Sequence, residues 1–252
     1  MPARRTQSDS SAAPEKRRPV ANAALSPNIL FEDEHVLCVE KRTGLPTQPG
    51  KGHLDDTLLN GAFALRPTEL GALGAQRDWG LLHRLDRDVS GVVLLAKSAL
   101  AYDALRAAFE SHKVKKTYLA VTQHPPPSPQ GSCTRAVREE IRGDMKVAVC
   151  PQRGGESART DWRTLGKIGL HTLLEVEPHS GRLHQVRVHL AAMGCPIVGD
   201  RVYRSDAPPN TGRLPRGRVP EPLLLHALRL EFPHPVTGAI VRVECSAREG
   251  FA

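Results

Sequence analysis

The stretch His83-Arg84-Leu85-Asp86-Arg87-Asp88-Val89-Ser90-Gly91 runs straight into Val92-Val93-Leu94-Leu95-Ala96. An apolar run of this length, rich in branched residues, reads as a buried strand, and Ser90-Gly91 supplies the turn into it. Polar density directly before a buried strand marks a loop held by a rigid scaffold, where functional residues concentrate. Working outward, Ser98 caps a helix that places Ala101, Leu105 and Phe109 on one face. Upstream, residues 29–31 and 36–39 read as strands flanking the polar turn Glu32-Asp33-Glu34-His35. Asp55 or Asp56 caps a helix that reaches Leu65. Downstream, residues 114–122 alternate as a strand and Pro125-Pro126-Pro127 breaks the chain. Residues 128–158 are turn-rich with short strands, one of them at 146–149. Residues 160–165 and 170–176 form a hairpin across Gly166-Lys167-Ile168-Gly169. Residues 182–193 make a helix with Leu183, Val186 and Leu190 as its apolar stripe, stopped by Gly194 with Pro196 just beyond. Five prolines and two glycines make residues 204–222 a loop. Strands at 223–232 and 240–245 close the chain. Strands outnumber helices and no repeat is present. The expected fold class is α+β: a mixed, largely antiparallel sheet with flanking helices.

At 252 residues and 40 % hydrophobic content the chain can bury a real core, which excludes a wholly disordered protein. No apolar run approaches the ~20 residues of a membrane span. None matches the ~7–15 apolar residues that follow the basic start of a signal peptide. The expected location is therefore the cytoplasm. Cys38, Cys133, Cys150, Cys195 and Cys245 form no CxxC pair, so neither a zinc site nor a disulfide framework is indicated. Lys plus Arg number 35 against 27 Asp plus Glu, and 26 of the 35 are Arg. Arginine forks onto phosphate and stacks on bases. Such a balance fits a nucleic-acid partner, and fits a biased genome composition equally well. Residues 1–26 are basic, lack aromatics and show no apolar period. They are expected to be a disordered tail, with the folded domain spanning residues 27–252.

Asp86 lies between Arg84 and Arg87, and nearby guanidinium groups favour the ionised carboxylate that a nucleophile or base requires. A solvated loop with local ion pairs would show the same pattern. The second polar cluster is His179-Ser180-Gly181-Arg182-Leu183-His184-Gln185-Val186-Arg187-Val188-His189. Gly181 precedes a helix start, whose backbone N–H groups favour anions. Arg182 with Gln185, and His184 with Arg187, are spaced to present donors to a phosphate, a base or a carboxylate. An ordinary exposed helix face would look alike. A helical zinc pair needs histidines at i and i+4, whereas His184 and His189 are five apart, so no metal is expected. No glycine-rich phosphate loop is present, which argues against nucleotide-driven chemistry.

Together these clusters resemble the RluA-type pseudouridine synthases, from about residue 29 to the end. Residues 83–91 are similar to the family's HRLDxxTSG motif, which holds the catalytic Asp. Lys115-Lys116-Thr117-Tyr118-Leu119-Ala120 is similar to its KxYxA strand, which holds the active-site Tyr. Residues 181–190, followed by Pro196-Ile197-Val198-Gly199-Asp200 and Tyr203, are similar to GRTHQ(I/L)RVHL…HPIxGDxxY. Leu224-Leu225-His226-Ala227 and Pro233-His234-Pro235 resemble the closing strands, and residues 36–44 the opening strand with its KPxG turn. Five motifs in order make the likeness specific. Three positions depart from it: Val89 and Leu183 each stand where the family has Thr, and Arg42 where it has Pro. Val89 removes a hydroxyl from the loop. The S4-like domain of some relatives is not expected, because the residues before 29 are too few to build one.

The resemblance implies a fold with a central RNA-binding cleft, and isomerisation of uridine to pseudouridine in structured RNA, ribosomal or transfer. It implies no cofactor and no metal, since nothing is oxidised or passed between molecules. Catalytic roles fall to Asp86, Tyr118 and Arg187. Asp86 attacks the sugar or the base, or takes a sugar proton; Arg187 pairs with it; Tyr118 lines the uracil site and removes the C5 proton. The target base must be flipped out of its stack, and Arg84 fills the space it leaves. Arg182, His184, Gln185 and Leu225 complete the RNA-binding set. The expected partner is RNA, with no membrane and with the chain acting as a monomer. The competing reading is a non-catalytic RNA-binding protein on the same fold, which has no need of Asp86, Tyr118 and Arg187 together.

Overall fold

The apolar run becomes strand β3 (Ser90–Ala96), buried from Gly91 onward. On one side it pairs antiparallel with β2 (Val36–Lys41), all of whose residues are buried. Strands covered on both faces read as unbroken apolar runs, which is why this part of the sequence is so plain. On its other side β3 runs parallel to β10 (Leu225–Pro233), through Ser90 opposite His226 and Gly91 opposite Ala227. Gly91 has φ +124°, and a Cβ there would lie 2.2 Å from the Ala227 carbonyl oxygen. Only glycine permits so close an approach.

The computed structural model describes residues 17–204, 222–247 and 250–251. From β10 the sheet continues through β4 (Lys115–Thr122), β9 (His171–Pro178), β8 (Thr160–Ile168) and β5 (Gln130–Cys133). At the opposite edge β1 (Ile29–Glu32) pairs with β2, and β11 (Ile240–Glu244) pairs with the far end of β10. Among the described residues this is a nine-stranded sheet in which β3–β10 is the one parallel pair. The mixed, largely antiparallel sheet is as expected. A separate hairpin is made by β6 (Arg138–Arg142) and β7 (Met145–Val149). Helix α3 (Ala99–Glu110) packs on β3 and β10 and is capped as read, Ser98 accepting the Ala101 N–H at 3.2 Å.

Three local expectations are corrected. Helix α1 (Leu58–Leu65) is capped by Thr57 rather than Asp55 or Asp56; Thr57 and Asn60 bond each other's backbone reciprocally, and Asp56 is held by His53 instead. Helix α2 (Pro67–Leu73) follows at once, with Pro67 in its first turn, where proline's missing N–H is not needed. Helix α4 (Gln185–Ala192) begins three residues later than expected, because His184 sits at φ +48°. Its apolar stripe also splits. Val186 and Leu190 enter the main core, whereas Leu183 joins Val188 against a smaller cluster with Val137, Ala148 and Ala158. The helix is therefore buried on nearly every side, between the sheet and the β6–β7 hairpin.

The described residues also include 17–26, and several of these dock on α1. A short 3-10 turn, Ala23–Leu25, is capped by Asn22. The Asn22 N–H bonds the Asn60 carbonyl at 3.0 Å, and the buried Asn60 amide donates to the Val20 carbonyl at 2.7 Å. The Arg18 guanidinium lies 5.9 Å from the Phe63 ring centroid. Residues 1–16 of the expected tail, and 205–221 of the expected loop, lie outside the described residues. Removing residues 1–26 should therefore cost about 1–3 kcal/mol more than removing 1–16, because Asn60 loses an acceptor inside the fold. Urea midpoints of the two truncated proteins check this; identical midpoints would contradict the docking.

Candidate active site

The polar loop before β3 is tied down from beneath by groups distant in sequence. Thr47 Oγ1 donates to the Leu85 carbonyl at 2.7 Å and accepts the Leu85 N–H at 3.2 Å. Lys41, fully buried, donates from Nζ to the carbonyls of Leu45, Arg87 and Arg42 at 2.6, 2.8 and 3.1 Å. Burial pulls Lys41 down to about 7, with the Asp86 and Asp88 charges pulling the other way. His83 Nε2 accepts the Leu94 N–H at 3.1 Å, and burial pushes its imidazole down to about 3, so the ring is neutral. Val89 is packed in the core while its N–H bonds the Asp86 carbonyl at 3.1 Å. The hydroxyl it lacks is not missed, since Thr47 and Lys41 hold the loop. Leu85 and Val89 point inward, and Asp86 between them stays 26 % exposed.

Arg187, on α4, reaches Asp86 from across the cleft. Its Nη1 donates to Asp86 Oδ2 at 2.9 Å. Its Nε and Nη2 fork onto Asp200 Oδ2 and Oδ1 at 2.8 and 3.0 Å. Asp200 Oδ1 also accepts the N–H groups of Val202 and Tyr203, at 2.9 and 3.0 Å. The Arg187 side chain is 8 % exposed and that of Asp200 1 %. Burial works against the Arg187 charge, but the Asp200 and Asp86 carboxylates more than offset it and hold the guanidinium above its ordinary range. A planar guanidinium can grip one carboxylate with two parallel N–H groups while a third N–H reaches the other, a fixed geometry that a lysine does not reproduce. Among the described residues nothing bonds Asp86 Oδ1.

All eight residues expected in the site line one cavity of about 490 Å³: Asp86, Tyr118, Arg187, Arg84, Arg182, His184, Gln185 and Leu225. That volume suits a single small ligand such as one nucleoside. Its walls are the 82–89 loop, α3, β4, residues 178–187 and the start of β10. Lys and Arg outnumber Asp and Glu around it: Arg84, Arg106, Lys116, Arg182 and Arg187 against Asp86 and Glu110. Tyr118 projects from β4 with no hydrogen-bond partner among the described residues. Burial, and then the Asp86 charge, push its phenol well above the usual range, so it is protonated.

The eight do not all face a ligand alike. Arg84 is exposed, with no polar partner among the described residues. Arg182 is paired with Glu156. Gln185 is buried and already occupied: its Oε1 accepts from Ser180 Oγ at 2.7 Å and Arg182 N at 3.2 Å, and its Nε2 donates to the Arg159 carbonyl at 2.9 Å. It shapes the 180–182 turn. Leu225 is buried where β10 begins, opposite Ala120. His184 turns inward, its Nε2 3.7 Å from Asp86 Oδ2. The sequence reading passed over Asp200, Lys41 and Thr47 as site-builders; Asp200 and Lys41 carried no signal beyond membership of a motif. Among the described residues no group of three or more His, Cys, Asp or Glu side chains could hold a metal ion. No described helix is long and apolar enough to cross a membrane.

The largely antiparallel sheet with its flanking helices is shared with solved pseudouridylate synthase domains. Human RNA Pseudouridylate Synthase Domain Containing 4 superposes with a TM-score of 0.67 at 25 % identity, over 90 % of this chain and 91 % of that one. Human RNA Pseudouridylate Synthase Domain Containing 1 gives 0.69 at 24 % identity, over 88 % and 84 %. The chain belongs to the RNA pseudouridylate synthase family, whose model matches residues 35–192. An "Uncharacterized RNA pseudouridine synthase" of Synechocystis is 37 % identical over 85 % of this chain and 63 % of its own length. A "Ribosomal large subunit pseudouridine synthase D" of Xanthomonas campestris is 36 % identical, over 88 % of this chain and 66 % of its own. The chain thus spans a little under two thirds of the length of these two relatives.

Proposed function

We propose that this chain isomerises uridine to pseudouridine in folded RNA, and that the RNA is that of the large ribosomal subunit. Family membership and the names of relatives such as the Xanthomonas protein support the reading. The observation that carries it is the asymmetry of Asp86: Oδ2 is held by a buried arginine, and Oδ1 is unbonded in a cavity that also contains Tyr118. The uridine is flipped into this cavity, at a cost of a few kcal/mol, and Arg84 occupies the gap in the stack. Asp86 acts through Oδ1 to break the N1–C1′ bond. The uracil turns, C5 bonds to C1′, the C5 proton leaves and N1 gains one. Atoms and electrons balance within the substrate, so no oxidant or nucleotide is consumed. The cavity is complete within one chain, which supports a monomer, and a ribosomal RNA substrate supports a cytoplasmic location. A non-catalytic binding module has no use for a carboxylate pinned from beneath in this way.

The test is release of tritium from RNA carrying 5-³H uridine, since C5 loses its hydrogen to solvent in this reaction. Release from large-subunit ribosomal RNA and not from transfer RNA supports the full proposal; release only from transfer RNA overturns its target; release from neither overturns the activity. Tyr118, held as a phenol, can take the C5 proton only by passing its own to Asp86 or to water. Tyr118→Phe keeps the ring and removes that path. Tritium release should fall about 10²–10⁴-fold, with rearranged RNA accumulating on the enzyme in a single turnover. A normal rate would remove Tyr118 from the proton path.

A further inference from the structure

We propose that His184 is a positioning residue for Asp86: with its tautomer set by Tyr203, it steadies Oδ2 alongside Arg187 and leaves Oδ1 as the reacting oxygen. Its kinetic test rests on the pseudouridine synthase reading; its spectroscopic test does not.

His184 sits at φ +48°, a left-handed conformation that residues other than glycine rarely adopt. Such a conformation persists where the surroundings over-determine it, and is a pointer to function. Its carbonyl is held by the Val188 N–H at 2.9 Å. Its Nδ1 is 2.8 Å from the Tyr203 hydroxyl, and the two rings meet edge to face with centroids 5.6 Å apart. The same hydroxyl accepts the Ala148 N–H at 2.8 Å. Ala148 is a donor, so among the described residues the Tyr203 proton has only His184 Nδ1 to go to. Burial pushes the Tyr203 phenol up to about 12, which keeps that proton in place. The imidazole is thereby fixed with Nδ1 accepting and its one N–H on Nε2, the nitrogen that lies 3.7 Å from Asp86 Oδ2. That distance is too long for a hydrogen bond, but such bonds are often long until the substrate binds.

The charged neighbours of the ring are Asp86, Arg187, Asp200 and Glu139. Burial pulls His184 below its ordinary range; Arg187 adds to that and the three carboxylates oppose it. The neutral ring offers Asp86 a donor without a competing charge. Protonation would leave the Tyr203 proton without an acceptor and turn His184 into a cation paired with Asp86. Activity should accordingly be lost as the pH falls through the titration of His184.

Tyr203→Phe removes the group that favours the neutral ring. Its acid limb in kcat should move up by about 0.7 pH unit, the worth of one neutral hydrogen bond. Its kcat should fall about fivefold, again one hydrogen bond, while KM stays within about twofold because the substrate contacts are untouched. His184→Gln retains a donor that does not titrate, so its acid limb should not move up. Ring-nitrogen NMR of the wild-type protein, assigned by the signal missing in His184→Gln, should show a bare Nδ1 and a protonated Nε2. A protonated Nδ1, or a Tyr203→Phe pH profile that overlays the wild type, overturns the proposal. A wild-type protein that releases no tritium from any RNA overturns the function instead, and the ring spectrum then still decides the geometry.

Discussion

Asp86→Asn is expected to abolish tritium release, by at least about 10⁴-fold, while RNA affinity stays within about tenfold of wild type. The substitution is nearly isosteric. The amide oxygen can still accept from Arg187 Nη1, which reaches Oδ2 at 2.9 Å in the native site. The loop beneath is held by Thr47 and Lys41 through main-chain atoms of residues 85 and 87, which the change does not touch. What is lost is a charge that can attack or take a proton. Affinity for a folded RNA comes from many phosphate contacts, and removing one negative charge from a cleft where Lys and Arg outnumber Asp and Glu weakens none of them. Affinity should therefore be equal or slightly tighter. Turnover by the Asn variant near the wild-type rate would sink the assignment of Asp86.

Arg187→Met should damage fold and chemistry together, unlike the change at Asp86. It leaves Asp200, at 1 % side-chain exposure, with backbone donors but no counter-charge among the described residues. Breaking a buried pair by removing one partner costs about 3–5 kcal/mol. It also leaves the Asp86 carboxylate without the one described residue that hydrogen-bonds it. Pairing Arg187→Met with Asp200→Asn should restore much of the stability, because the orphaned charge is gone, but none of the rate. Urea denaturation and tritium release, measured on the single and double variants, separate the two effects. A single variant as stable as wild type would mean that the Asp200 pair contributes nothing to the fold.

Much of the architecture was legible because its signals are local. The apolar run of β3, the Ser98 cap of α3 and the hairpin of β8 and β9 each follow from neighbouring residues. Local signals also misled. Asp55, Asp56 and Thr57 are all acceptable caps, and Thr57 prevails because Asn60, three residues on, returns its bond. The sequence pattern starts α4 at Arg182, since nothing in its composition marks His184 as left-handed. Asp86, Tyr118 and Arg187 could be grouped only by resemblance; no periodicity relates Asp86 to a residue 101 positions away. The Thr47 and Lys41 tethers and the Asp200 fork were invisible for the same reason. Each joins residues that become neighbours only when the sheet closes.

The two-residue parallel join between β3 and β10 also has a consequence in time. Asp86 stands at the entrance to β3 and Tyr118 lies on β4, yet these strands do not pair with each other: β10 lies between them and pairs with both. Ser90 and His226, which bond across the join, are 136 residues apart. Contacts so distant in sequence are slow to form, because the closure entropy must be met before they stabilise anything. A growing chain that has left the ribosome as far as α4 already carries Asp86, Tyr118 and Arg187, but has no floor on which to set them side by side. Chemistry waits for β10, which is synthesised after α4.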